Sequence, residues 1–282
     1  MQTELPLQLF VTRLFLLLAI PALLFAHDAT AAEPRFLLSL GYDVTTGKYG
    51  TQVITTTQRI PLVIAFYPTE RLGFSLEIPY IVQSSSPLQP VGQPPPPRDS
   101  VVVIGSNTGT LVGPRIITLG ESRRGLGDIS LSVDYTLMEE SDTAPLLRPS
   151  LYVKFPTTDE ANGLGTGEFD FGAGIGVAKW LGNWFVALDG MYMMPGTSAQ
   201  YQSDNYWTYT AAVDYPLTER LFAGLALSGS KTVVDGGSNA LETRVNVSYW
   251  PSSTVGWSGY LSTGLTDASA DFGSGLFGSY RF

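Results

Sequence analysis

The chain has 282 residues, no cysteine and a single histidine. Without cysteine there can be no disulfide, no thiolate metal site and no lipid-anchored Cys. Charge is scarce too, at 15% of residues, and it leans acidic, with a formal net charge of −9. Nucleic acid is therefore not expected as a partner, because phosphate binding depends on clustered Lys and Arg. Long apolar runs are also missing, apart from Leu14 to Ala26 at the N-terminus. No other segment approaches the roughly 18–20 apolar residues that a membrane helix requires.

What is present sits oddly with these absences. The chain is 44% hydrophobic, and its mean hydropathy is slightly positive. So few charges are unusual for a soluble domain of this size. An apolar chain without spanning helices can spread its apolar surface over alternate residues of many strands, as a closed membrane barrel does.

Residues 1–32 read as a signal peptide. Arg13 precedes the apolar run, Pro21 interrupts it, and the small residues Ala29-Thr30-Ala31-Ala32 suit cleavage after Ala31 or Ala32. Cleavage removes His27, so the mature chain, 33–282, has neither His nor Cys. Losing Arg13, Glu4 and Asp28 as well leaves 15 basic and 23 acidic residues, a net charge of −8.

From Phe36 onward the dominant pattern is period-two alternation in segments of about ten residues, the length a tilted membrane strand needs. Leu72, Phe74, Leu76, Ile78, Tyr80 and Val82 oppose Gly73, Ser75, Glu77 and Gln83. Ile129, Leu131, Val133 and Tyr135 oppose Ser130, Ser132, Asp134 and Thr136. Phe169, Phe171, Ala173, Ile175 and Val177 oppose Asp170, Gly172, Gly174 and Gly176. The spacing predicts about twelve such strands, with fourteen as the alternative. Residues 84–126 hold the ambiguity. Pro87, Pro90 and Pro94 to Pro97 exclude regular strand, after which Val101–Ile104 and Leu111–Leu119 could pair as a hairpin in an outer loop.

Alternation alone does not separate a membrane barrel from a soluble barrel or a sandwich. Three further features do. Tight turns such as Tyr67–Arg71, Leu181–Asn183 and Pro251–Ser253 alternate with longer connections, as short periplasmic turns alternate with outer loops. Aromatics collect at two levels, one near Tyr67, Tyr135, Trp180, Tyr215, Tyr249 and Tyr280, the other near Tyr80, Phe155, Phe169, Tyr192 and Trp207. Finally, Leu276, Gly278, Tyr280 and Phe282 share one face of the last strand. Leu276, Tyr280 and the terminal Phe282 resemble the signal read by the outer-membrane barrel assembly machinery. The fold expected is an all-β transmembrane antiparallel up-and-down barrel in the outer membrane of a Gram-negative cell. Outer-membrane lipid, lipopolysaccharide and that assembly machinery are its expected partners.

In this register the lumen face carries Asp43, Glu77, Asp134, Asp170, Asp189, Asp214 and Glu242, with Arg148, Lys154, Arg244 and Arg281. These charges can brace the wall by pairing across neighbouring strands or form a constriction that selects solutes by charge. The remaining lumen positions are rich in Gly, Ser, Ala and Thr, and twelve strands enclose more than side chains alone fill. The Gly172-Ala173-Gly174-Ile175-Gly176 run lacks the strand-to-helix context of a nucleotide-binding loop. Gly163 to Gly167 reads as turn chemistry. The loop acids Asp159, Glu160 and Glu168 read as solvated charge rather than a cation site. No cofactor, metal site or catalytic residue is expected. The familiar barrel enzymes resemble one another in using a catalytic His, which the mature chain lacks, so enzyme activity is not expected.

At Gly125-Leu126-Gly127-Asp128-Ile129-Ser130-Leu131, and at Lys154-Phe155-Pro156-Thr157 through Gly163-Leu164-Gly165-Thr166-Gly167, the chain resembles the outer-membrane barrels of the meta-pathway phenol-degradation family, often called transporter-like. The resemblance implies a porin-like barrel that admits a small-molecule solute, aromatic or hydrophobic, and it carries over no catalytic residues. The alternative is a structural or adhesive surface barrel whose lumen is closed and whose outer loops bind a partner.

Overall fold

The computed structural model describes residues 35–84, 89–90, 111–112, 122–158, 163–197, 204–231 and 238–282. The signal peptide assigned to 1–32 lies outside them, as do Val101–Ile104, Asp159 and Glu160. The described strands are β1 (Arg35–Gly47), β2 (Thr55–Tyr67), β3 (Leu72–Gln83), β4 (Gln89–Pro90), β5 (Leu111–Val112), β6 (Arg123–Leu126) and β7 (Ser130–Tyr135). They continue as β8 (Leu146–Lys154), β9 (Asp170–Leu181), β10 (Trp184–Met194), β11 (Tyr206–Pro216), β12 (Leu221–Ser230), β13 (Ala240–Tyr249), β14 (Val255–Gly264) and β15 (Phe272–Arg281).

Every pairing is antiparallel, and the wall runs in chain order from β1 through β3 and on from β7 to β15. It closes where β1 pairs with β15, in register from Leu37↔Arg281 to Thr46↔Phe272. Phe282 extends this seam, exchanging both backbone hydrogen bonds with Phe36, at 2.9 and 3.0 Å. These twelve strands form the closed barrel the alternation predicts.

β6 lengthens one of them. β3 pairs with β7 up to Glu77↔Ser130 and with β6 from Tyr80↔Leu126, so Gly127 to Ile129 stand opposite only Ile78 and Pro79. β6 and β7 are thus one wall strand carrying a one-residue bulge. This corrects the boundary of the long outer loop. Arg123–Leu126 belongs to the wall, paired with β3. Leu111–Val112 pairs with Gln89–Pro90, and the other half of the expected hairpin, Val101–Ile104, lies outside the described residues. A two-residue ladder tolerates Pro90, because the pairing there does not need its missing N–H.

The exposure pattern settles which way the wall faces. Leu40 is 56% exposed, Leu151 63% and Leu261 59%, while Ser39, Asp43 and Lys154 on the other face are each 1% exposed. A soluble barrel would invert this arrangement. An apolar exterior around a closed barrel is the membrane form. Aromatic contacts mark its two edges. Phe36 stacks on Phe66 at 4.7 Å and lies 6.1 Å from Phe282, and Trp184 meets Tyr215 at 4.7 Å. At the other edge Phe155 meets Phe169 at 5.9 Å and Tyr192 meets Trp207 at 5.0 Å.

Four of the short turns share one device. The hydroxyls of Thr69, Thr218 and Ser252 each accept the N–H three residues on, from Leu72, Leu221 and Val255, at 3.0 Å. Ser141 does the same for Ala144 at 3.1 Å. Such side-chain-to-backbone bonds satisfy turn donors without further chain. They keep this end of the barrel tight and leave the other end free to elaborate.

Candidate functional site

The site is the lumen face, and its most heavily bonded part lies at the outer mouth. The bulge aims the Asp128 side chain inward, towards the end of β8. Lys154 Nζ lies 3.2 Å from Asp128 Oδ2, 2.9 Å from Asp170 Oδ2 and 2.6 Å from Thr166 Oγ1. Asp128 also accepts the backbone N–H groups of Thr158, at 3.0 Å, and Thr166, at 3.4 Å. Asp170 accepts the N–H of Gly196 at 3.0 Å. One buried ammonium therefore ties together the bulge, the ends of β8 and β9, the 163–168 segment and the start of the β10–β11 connection.

The glycines of this region follow from that knot. A Cβ on Gly165 would stand 2.6 Å from both Asp128 carboxylate oxygens, and one on Gly127 would meet Ile81 Cδ1 at 2.6 Å. Gly163 has φ +63 and lies under Arg123, which donates to its carbonyl at 3.2 Å. The two motif segments, far apart in the chain, are thus one structural unit. Gly165→Val is expected to push the segment off Asp128, exposing it. Limited proteolysis of the folded protein in micelles checks this, with cleavage near 163–168 accelerated on the order of tenfold, since such cleavage tracks the open population.

Deeper in the lumen, charges from the far side of the ring approach each other. Arg59 pairs with Glu77 and is the direct cross-strand neighbour of Asp43. It also lies within electrostatic reach of the phenols of Tyr260 and Tyr152, on β14 and β8. Arg244 sits over the Tyr260 ring at 4.4 Å and interacts with Asp43 across β14 and β15. Gly273 and Gly275 of β15 leave the intervening wall low. Nearer the tight turns, Arg148 donates to Thr136 Oγ1 at 3.1 and 3.3 Å and lies 3.6 Å from Asp134. Asn246 donates to Asp214 at 3.1 Å over Gly224, whose Cβ would collide with both.

All the sequence-predicted lumen charges except Arg281 take places within the barrel. Glu242 is buried near the outer mouth and accepts the Ala270 N–H at 3.5 Å. Asp189 leans over Gly176, with Oδ1 at 2.5 Å from where a Cβ would be. Arg281 has the inward parity, but it lies at the rim beside the tight turns, exposed, with its guanidinium 4.9 Å from the Trp250 ring. Leu276, Tyr280 and Phe282 point outward, each about half exposed or more. Sequence reasoning missed Arg59, although parity with Thr55, Thr57 and Val63 on β2 places it inward. It read Asp128 as a motif residue without giving it a role.

A closed antiparallel barrel with an apolar exterior and a charged interior is an outer-membrane barrel. The chain belongs to the family described as "Putative MetA-pathway of phenol degradation", whose model matches residues 66–282. Among solved structures, it is similar to an outer membrane channel from Pseudomonas putida F1, with 15% identity and TM-score 0.63, covering 91% of this chain and 98% of that one. It is also similar to the KdgM porin, with 10% identity, TM-score 0.53 and coverage of 87% and 99%. The NanC porin matches with 9% identity, TM-score 0.51 and coverage of 87% and 100%. At these identities the likeness is one of fold. No curated protein sequence matches the chain.

Proposed function

We propose that this barrel is an outer-membrane channel for small molecules, aromatic or hydrophobic ones among them. The observation that carries the reading is the composition of the enclosed face. It carries charges, hydroxyls and glycines between only small clusters of buried apolar side chains, where a barrel serving only as a scaffold would do best with a close-packed apolar interior. The channel and porin names of its structural neighbours support passage, and the family description supports aromatic solutes. The protein's partners in this reading are lipid and lipopolysaccharide around the wall and the assembly machinery at Leu276, Tyr280 and Phe282. Residues 1–32 serve export, and no chemistry is performed.

Conductance of the purified protein in planar bilayers tests this. Discrete channels are expected, and Glu77→Gln, which frees the charge of Arg59, is expected to shift ion selectivity towards anions. A variant lacking residues 85–121 should still conduct; the deletion stops short of Arg123 because the wall begins there. Silence from both proteins would overturn the channel reading. It would favour the structural or adhesive barrel, which the near-complete burial of many lumen side chains also suits.

A further inference from the structure

One part of the lumen is neither charged nor occupied with bracing the wall. Tyr152 of β8, Met191 and Met193 of β10 and Tyr206 of β11 form a buried cluster on the inner face, just below the Lys154 knot. Its floor is β9, which contributes no inward side chain at Gly172 or Gly174. A Cβ on Gly172 would stand 2.8 and 2.9 Å from the Met193 and Met191 sulfurs, and one on Gly174 would stand 3.0 Å from Met191 Cε. Both thioethers therefore lie directly on bare backbone. Tyr152 Oη is buried with the Ser130 hydroxyl as its neighbour, and makes no well-formed hydrogen bond among the described residues.

We propose that this cluster is a binding step for a single aromatic ring bearing one hydrogen-bonding substituent, a phenol-like molecule. The proposal rests on the channel reading and assigns residues to it. The chemistry of each part selects the ligand. A glycine floor accepts something flat, because nothing projects from it. Methionine has three rotatable bonds and a polarizable sulfur, and it makes favourable contacts with aromatic rings. Met191 and Met193 can thus lift from the glycines and close over a ring. Tyr206 supplies a further aromatic wall. The Tyr152 hydroxyl, costly to bury without a well-formed bond, gains one from the ligand's polar atom. A purely aliphatic solute loses the sulfur and ring contacts, and a ring without a polar atom gives Tyr152 no new partner.

The sequence makes the test unusually clean. It contains five methionines, and apart from Met1 they are Met138, Met191, Met193 and Met194. Met138 and Met194 are exposed on the outer surface. In protein labelled with methyl-13C methionine and placed in nanodiscs, phenol should shift the Met191 and Met193 methyl signals saturably. The Met138 and Met194 signals should move only linearly, as phenol partitions into lipid. Benzene and cyclohexanol should each bind more weakly than phenol. Tyr152→Phe, which keeps the ring and the packing, should weaken phenol about fivefold, the worth of one ordinary hydrogen bond, and leave benzene unchanged. Gly172→Ala, if it folds, should abolish the saturable shift.

Two results overturn the proposal. One is a response confined to Met138 and Met194. The other is equal saturable binding of phenol and cyclohexanol. Bilayer conductance of the same preparation separates this failure from that of the channel reading. A conducting protein with silent Met191 and Met193 loses only the binding step. A non-conducting protein with saturable shifts keeps the site and loses the passage.

Discussion

Removal of Phe282 is expected to lower the amount of folded barrel in the outer membrane more than tenfold. Phe282 and Phe36 exchange two backbone hydrogen bonds at one end of the seam where the first and last wall strands meet. The Phe282 ring also lies 6.1 Å from Phe36 and 5.4 Å from Tyr280, continuing a girdle through Phe66 and Phe74. Two net hydrogen bonds at about 0.5–1.5 kcal/mol each, with two aromatic contacts of similar worth, sum to roughly 2–6 kcal/mol. Every 1.4 kcal/mol is a factor of ten in an equilibrium. The effect is concentrated at closure, because an unclosed β1–β15 seam presents two free edges to lipid, which no sheet tolerates there. Heat-modifiable gel migration of membrane fractions measures it. Phe282→Leu, which keeps the backbone bonds, should lie between wild type and the deletion. Equal yields of folded barrel from all three would contradict this account.

The parts of this fold that were readable in the sequence are those set by a period of two. Alternation gave the twelve wall strands and put Asp43, Glu77 and Lys154 inside, because a side chain on a paired strand has only two faces to choose from. What alternation cannot carry is register between strands. That Arg59 stands beside Asp43, or that Asn246 reaches Asp214 over Gly224, depends on hydrogen-bond alignment, to which no single strand's pattern refers. The bulge was hidden for a related reason. One extra residue reverses parity between Leu126 and Ser130, so β6 looked like loop and Asp128 had no face assigned. Gly127 was the available signal, as a glycine within a strand pattern often marks a bulge. Arg281 shows the converse limit. Its parity was right, but parity carries no height, and at the rim it meets Trp250 and water instead of the lumen.

Lys154→Met is expected to cost about 3–5 kcal/mol, the usual penalty for breaking a buried ion pair and leaving charge behind. The side chains of Lys154 and Asp170 are each 1% exposed, and that of Asp128 is 5% exposed. Without the ammonium, two carboxylates face each other out of water and must protonate, separate or draw solvent in. Separation is the accessible response, because Asp128 holds the N–H groups of Thr158 and Thr166 and Asp170 holds that of Gly196. The outer mouth should therefore loosen while the wall below it remains closed. Denaturant titration of the folded barrel, read by gel mobility, should show a lowered midpoint, and single-channel records should become noisier. The decisive comparison is Lys154→Met/Asp128→Asn/Asp170→Asn, which removes all three charges together. If buried, uncompensated charge is the cause, this triple variant recovers most of the lost stability, though the mouth stays loose because Lys154 no longer bridges β8 to the 163–168 segment. A triple variant no more stable than Lys154→Met would show instead that lysine packing, not charge balance, holds the mouth together.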